Sequence, residues 1–464
     1  MKEFIFPVKI VACEKAVNEQ NLLMKQPMQI GLNEAYTADF QAGGYVILDY
    51  GKEMCGSVRL LVFGSANATA RIRFGESLTE CCSDIGTKQN ATNDHAIRDY
   101  TAYLPNYSDM TFVDTGFRFV RIDFDAHVKV KSAIAVNHIL KKPAVYTYQG
   151  KDELIARIFE TAKRTVDLCA SSGYVWDGVK RDRLVWIGDM HPEMLALTAL
   201  YGKLPEIERS LDFIKKQTPL PGWMNNFPTY SMWWIIILAD YYEKTGTKAF
   251  IQKQLSYLEG LIAQMDACVT EEGALAYPSL FVDWPTQSTP QVEPGSRAIN
   301  IMAMKKAIEL LKSFGRDTSV AEGVLSRLLS VEIECGDKKQ VMGLKYFATG
   351  LTKEEEKRLV EGNAKGMSTF MSYYILKAVA SFDKEKAIEM MKEYYGAMLD
   401  KGATTFFEDF DMAWTENTCR IDEFPKEGQK DIHGDFGAYC YVGFRHSLCH
   451  GWSAGVIQFI KEEC

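Results

Sequence analysis

One change of hydrophobic period, close to Lys151, constrains this chain more than any other feature. From Tyr45 to about Phe124, apolar and polar residues alternate in short runs, "YVILDYG", "SVRLLVFG", "TARIRFGES" and "FRFVRIDF", parted by Gly, Asn, Ser and Asp. A period of two turns one face of a strand inward and the other outward, so this region predicts an antiparallel β-sandwich, with "AIAVNHIL" near residues 133–140 as its last strand. The stretch before Tyr45 is less patterned and adds one more strand in this reading. After Lys151 apolar residues recur three and four apart, in segments such as "DELIARIFETAKRTVDLCAS", "MWWIIILADYYEKTG" and "EKAIEMMKEYYGAML". That is the spacing of one helix face. These helical segments are too many for a four-helix bundle, and they show none of the fixed period of a solenoid, although a helical array stays open. A spacing of about 26 residues per helix and loop suits an (α/α) barrel of roughly a dozen helices. The expected organisation is a β-sandwich over residues 1–148 and a helical barrel over 149–464.

Composition removes several classes of function. The chain has a formal net charge of −8 at pH 7, so no basic field is present to gather nucleic acid or anionic lipid. The longest strongly apolar run, "MWWIIILA", is far short of the roughly 20 residues of a membrane span, and Pro7 and Lys9 break the apolar core that a secretory leader would need. Eleven cysteines without regular spacing, including adjacent Cys81 and Cys82, read as reduced thiols. A cytoplasmic location is the expectation. The sequence contains no HExxH, no GxxxxGK[ST], no GxGxxG after a strand and no GxSxG, so no metal and no cofactor is expected.

The unusual composition falls between the helices. "WDGVKRDRLVWIGD" (residues 176–189) packs three acids, three bases and two tryptophans into one loop, and every one of the eight tryptophans lies in or beside such a segment. A solvated ion cluster would account for "KRDR" alone, but not for Trp176 and Trp186. Carboxylates, Arg and His that bond hydroxyls, set against indole faces that cover the C–H side of a sugar ring, account for both. Cleaving a glycosidic bond further requires two carboxyl groups, one to protonate the leaving oxygen and one to activate water or attack the sugar. Asp189 reads as the N-cap of a helix with Pro192 in its first turn, which puts Asp177 and Asp182 on the loop before it. The loop "TTFFEDFDMAWTEN" supplies a second group of acids around Glu408, and His450 precedes Trp452 at another helix start. The polar cluster "NATNDHAIRDY" around His95 reads as a solvated turn rather than a loop reaching the barrel mouth.

Three of these blocks, in the same order, resemble the α-L-rhamnosidases, glycoside hydrolase family 78. "DGVKRDRLVWIGD" is similar to the family segment carrying a carboxylate, an Arg and the general acid before a Trp and a Gly-Asp pair. "GATTFFEDFD" is similar to its Thr-Thr-aromatic-aromatic-Glu segment, and "SLCHGWSAG" to its Ser-x-x-His near the last barrel helix. "RFGESL" and "TGFRFVRIDF" look like the β-domain before the barrel, and the chain ends shortly after the segment resembling that last helix, without the trailing β-domain of many relatives. The resemblance implies an (α/α)6 barrel, Asp182 as general acid and Glu408 as general base. Asp177, Arg181, Asp189 and His450 would hold sugar hydroxyls or tune the acid, and Trp186, Tyr230, Trp233 and Trp284 would form aromatic walls. The chain departs from the family pattern at Asp182, where Glu is usual.

The expected activity is therefore inverting removal of a terminal α-L-rhamnosyl or closely related residue from an oligosaccharide or glycoside. One alternative is another (α/α)-barrel glycosidase acting on a uronic acid or arabinose, with Lys180 and Arg181 facing a sugar carboxylate. The other is a carbohydrate-binding protein that has lost catalysis.

Overall fold

The structure, a computed structural model, describes every residue except Met1, Glu34 and Lys88. Among the described residues seven strands come first: β1 (Lys2–Ile5), β2 (Lys9–Val17), β3 (Ala38–Ser65), β4 (Thr69–Gly75), β5 (Asp99–Tyr103), β6 (Ser108–Phe124) and β7 (Val128–His138). The unpatterned N-terminal stretch thus contributes two strands, not one. All pairings are antiparallel, in the order β1-β7-β3-β6-β4-β5, with β2 on β3. At 28 residues β3 is long enough to change partners along its length. Its early part pairs with β2, its later part with β7, and the start of β7 also pairs with Ala38–Phe40. The sheet therefore curls back on itself, around an apolar interior that includes Phe40, Leu48, Phe74, Phe117 and Val120.

Twelve helices of eight or more residues follow among the described residues. They are α1 (Glu153–Cys169), α2 (Met190–Tyr201), α3 (Pro205–Gln217), α4 (Pro228–Thr245), α5 (Leu255–Asp266) and α6 (Val292–Ser313), then α7 (Ser319–Leu329), α8 (Lys339–Ala348), α9 (Lys353–Val360), α10 (Ser372–Ala380), α11 (Lys384–Asp400) and α12 (Val456–Glu463). The even-numbered helices close a ring: α2 packs on α4, α4 on α6, α6 on α8, α8 on α10, α10 on α12, and α12 again on α2. Their sequences fit that position. Every residue of α2 is buried, as is all of α4 from Pro228 to Ala239, and a helix apolar around most of its circumference has to be enclosed. Odd-numbered helices are two-faced. In α1 the buried residues include Ile155, Ile158, Phe159, Ala162 and Val166, while Glu153, Arg157 and Glu160 face outward. The Lys- and Glu-rich α9 starts with a capping box in which Thr352 and Glu355 satisfy each other's backbone N–H. No helix among the described residues is long and apolar enough to cross a membrane, and all eleven cysteines are unpaired.

Sheet and helices meet through a polar junction beneath residues 176–189. Thr115 Oγ1 donates to the Lys180 carbonyl at 3.0 Å, and the Lys180 ammonium lies 2.8 Å from Glu80 while donating to the carbonyls of His446 and Phe444. Gly116 permits this approach. A Cβ there would stand 2.8 Å from the Lys180 amide nitrogen and 2.9 Å from its Cα, against backbone that cannot rotate away. Gly116→Ala is expected to cost about 1–3 kcal/mol of stability, the usual range for overpacking, and to lower activity by displacing the adjoining loop. Thermal melting with parallel kinetics checks both effects, and an unchanged melting temperature would remove the junction from this account.

Candidate active site

The loop that carries the ionic cluster is folded by its own ends. Leu184 N–H donates to Asp177 Oδ1 at 2.9 Å, the Asp177 amide donates to the Leu184 carbonyl at 3.1 Å, and Gly178 forms a bridge with His450. Asp182 and Arg183 occupy the tip in the left-handed backbone region, with φ of 56° and 54°. Lys180 and Arg181 are buried, so the cluster is not a solvated patch.

Arg181 organises the centre. One terminal nitrogen donates to both Glu408 oxygens, at 2.7 and 2.8 Å, and the other donates to Asp182 Oδ2 at 3.0 Å. Its Nε donates to the Arg445 carbonyl at 3.0 Å. Glu408 also accepts from the Ser447 amide at 2.9 Å, and its own carbonyl accepts from Trp452 Nε1 at 2.8 Å and from Thr369 Oγ1 at 2.5 Å. Backbone and side chain of Glu408 are thus fixed from several directions. Burial pushes the Glu408 carboxyl up, but Arg181, with His450 and His446, outweighs it and holds the group below the ordinary glutamate value. Glu408 is a carboxylate at neutral pH, the form a general base requires.

His450 stands between two acids, its Nε2 3.1 Å from Asp189 Oδ2 and its Nδ1 3.6 Å from Glu408 Oε1. Burial alone would lower its proton affinity, yet Glu408, Asp189 and Asp177 together hold it above the usual histidine value. Asp189 spends its other oxygen on the Tyr230 hydroxyl, at 2.8 Å. It therefore does not cap α2: its backbone is already helical and its side chain makes no cap hydrogen bond, because the carboxylate turns into the cleft. Burial, reinforced by Asp189, raises the Asp177 carboxyl to about 7 against the pull of His450 and Arg181. Around neutral pH it can both donate to and accept from a hydroxyl.

These groups line a cleft of about 280 Å³ at the starts of the ring helices, walled by Trp186, Phe227, Tyr230, Phe281, Trp284 and Trp452. Trp186 meets Tyr230 edge-on at 6.1 Å, and Trp284 Nε1 donates to the Tyr441 hydroxyl at 2.5 Å. Asp177, Arg181, Asp182, Trp186, Asp189, Tyr230, Trp284, Glu408 and His450 all line this one cleft. Trp233 does not. It sits one turn deeper on α4 than Tyr230, fully buried, with its ring 5.2 Å from His191 and 5.4 Å from Tyr374. A second correction concerns His95, which is not part of a merely solvated turn: its loop crosses from the sheet, and its Nδ1 touches Asp182 Oδ1. Tyr441, Arg445 and Cys440 also line the cleft and carried no signal of their own in the sequence.

Below the cleft, Glu76, Glu80 and His433 approach closely enough to share a cation. They do not suit one. The Lys180 ammonium already balances Glu80, and the two nitrogens of His433 are engaged by Ser77 at 2.7 Å and by the His446 carbonyl at 2.9 Å.

This fold is shared with several solved α-L-rhamnosidases. The chain is similar to a rhamnosidase from Klebsiella oxytoca, solved with rhamnose bound, at 18% identity and a TM-score of 0.77, over 100% of this chain and 96% of that one. It is also similar to a glycoside hydrolase family 78 rhamnosidase of Bacillus sp. GL1 (17% identity, TM-score 0.70) and to an α-L-rhamnosidase from Aspergillus terreus (16%, 0.67). It covers 96% and 91% of itself in those alignments but spans about half of each protein, 48% and 53%. No protein-family model and no curated protein matches the sequence.

Proposed function

We propose that this protein is a glycoside hydrolase that removes terminal α-L-rhamnosyl or closely related residues from oligosaccharides or glycosides with inversion, Glu408 activating water and Asp182 protonating the departing oxygen. The observation that carries this reading is the pair of carboxylates on opposite terminal nitrogens of the Arg181 guanidinium, inside an aromatic-walled cleft. We read this arrangement as an inverting pair, for which the two carboxyls stand roughly 6.5–9.5 Å apart, rather than as a retaining pair at roughly 5–5.5 Å. Asp177, Asp189 and His450 supply hydroxyl partners, and Trp186, Tyr230 and Trp284 the walls. We read the curled sheet as a β-sandwich domain (1–148) and the ring with its outer helices as an (α/α)6 barrel (149–464), acting in the cytoplasm.

A preference for uronic acids finds less support. Lys180 points to Glu80 and to carbonyls, Arg181 is occupied by Glu408 and Asp182, and Arg445 pairs with Asp94 at 2.7 Å. Hydrolysis of an aryl α-L-rhamnoside, with the anomer of the first product followed by NMR, tests the proposal. The expected result is turnover with the inverted anomer, and loss of about 10²–10⁴-fold in kcat for Asp182→Asn on substrates with poor leaving groups. Retained configuration would overturn inversion. Stabilisation by rhamnose without turnover would make the chain a binding protein.

A further inference from the structure

The loop from Gln89 to Arg98 leaves the sheet and is fastened to the segment that also borders the cleft. Phe444 N–H donates to the Gln89 carbonyl at 2.7 Å, Asn90 Nδ2 donates to the Val442 carbonyl at 3.2 Å, and Arg445 lies 2.7 Å from Asp94. At its own base, Asn93 Oδ1 accepts from the amides of Arg98 and Asp99. These ties carry His95 to Asp182. The His95 ring has a carboxylate on each nitrogen, Asp182 at Nδ1 and Asp94 at Nε2 (3.1 Å), and only the doubly protonated ring donates to both. Both contacting residues hold left-handed backbone, φ 63° at His95 and 56° at Asp182, a conformation that non-glycine residues keep where the surroundings enforce it. The His95 side chain is 49% exposed and that of Asp182 only 12%, so the ring links the enclosed carboxyl to solvent.

A proton donor placed as Asp182 is has a difficulty. The Arg181 cation lies 3.0 Å from the Asp182 carboxyl, and a cation at that distance works against the protonated form that a donor requires. We infer that His95 is a positioning residue that supplies Asp182 with the proton it delivers, so that the acid of this site is a His95–Asp182 pair built across the two halves of the fold. This rests on the glycosidase reading above. In the step, a proton passes from His95 Nδ1 to the Asp182 carboxyl, which gives a proton to the glycosidic oxygen as the carbon–oxygen bond breaks and its electron pair stays on oxygen. A water loses its proton to Glu408 and bonds to the sugar carbon. Glu408 then returns that proton to solvent, and solvent reprotonates His95 on its open side. The charges facing His95 are Asp94 on its own loop, Asp182 with Arg181 beside it on the facing loop, and Arg445 from the C-terminal segment.

The test compares His95→Gln with wild type and Asp182→Asn on two α-L-rhamnosides, one with a dinitrophenyl leaving group that departs without help and one with an alkyl leaving group that needs a proton. Melting temperatures establish that each variant is folded. His95→Gln is expected to lose at least about tenfold more kcat on the alkyl than on the dinitrophenyl substrate, in the same direction as Asp182→Asn, as partial loss of general acid catalysis predicts. Equal losses on both substrates, or an effect confined to KM, would make His95 a structural or binding residue and overturn the inference alone. Full activity of Asp182→Asn on the alkyl substrate would remove Asp182 as the acid and overturn the inference while leaving the chain a glycosidase, whereas no turnover by wild type would overturn the glycosidase reading and the inference with it.

Discussion

Glu408→Gln is expected to lower kcat by about 10³-fold or more while the protein stays folded and KM changes little. The surroundings of Glu408 are arranged for a charge that an amide cannot carry. Two Arg181 donor bonds, the Ser447 amide at 2.9 Å and His450 at 3.6 Å all converge on its oxygens. A glutamine keeps the shape and the backbone ties to Thr369 and Trp452, yet it turns an NH₂ group toward Arg181 and cannot accept a proton from water. General base catalysis contributes typically about 10²–10⁴-fold, and in a mechanism where water attacks directly no other group stands ready to take over. Because the Glu408 carboxyl lies below its ordinary value, the acidic limb of the wild-type kcat/KM profile is expected below the usual glutamate range. Steady-state kinetics on an aryl α-L-rhamnoside, with melting curves, check both statements. A variant within tenfold of wild type would dismiss Glu408 as the base.

Local pattern and local chemistry made much of this molecule legible in the sequence. The alternation from Tyr45 to Phe124 became β3, β4 and β6, and the helical spacing after Lys151 became twelve helices, because each element shows its own period in consecutive residues. The acids and tryptophans of residues 176–189 were conspicuous because neither a surface nor a core explains them together. What escaped depends on direction or on distance along the chain. Tyr230 and Trp233 lie three apart on the same helix, and a helix apolar around most of its circumference does not tell which ring reaches the cleft and which fills the centre. Asp189 has the residue type and place of a cap, but its carboxylate turns to Tyr230 and His450, which α4 and a segment some 260 residues later bring to it. Lys180 is charged and borders a polar loop, yet its buried partner Glu80 comes from the short helical turn Leu78–Cys82 that follows β4, 100 positions earlier in the chain. His95 reaches Asp182 across 87 positions, and no local periodicity encodes such a contact.

Arg181→Met is expected to reduce stability at neutral pH by about 3–5 kcal/mol, the range for removing one partner of a buried ion pair, and to abolish most activity. Glu408 is 2% exposed, so the variant strands its charge with the Ser447 amide, His450 and His446 as its remaining partners. The pH dependence separates this cause from a general packing defect. In wild type the folded-state value of Glu408 is lowered, so its contribution is present above the unfolded value and is lost as pH falls through the folded one. Without Arg181 the upward push of burial has its main opponent removed, and the folded value moves above the unfolded one. The variant then folds best with Glu408 protonated, and stability tied to this group is present at low pH and lost as pH rises through the new value. The melting-temperature gap between wild type and Arg181→Met is therefore expected to be widest near pH 7 and to narrow toward pH 4, while the acidic limb of residual kcat/KM moves to higher pH. Arg181→Lys should fall between the two, since an ammonium restores the charge but not the fork that holds Glu408 and Asp182 at once. A gap that stays constant over this pH range would show that Arg181 stabilises the fold through packing and its bond to the Arg445 carbonyl, rather than through the charge of Glu408.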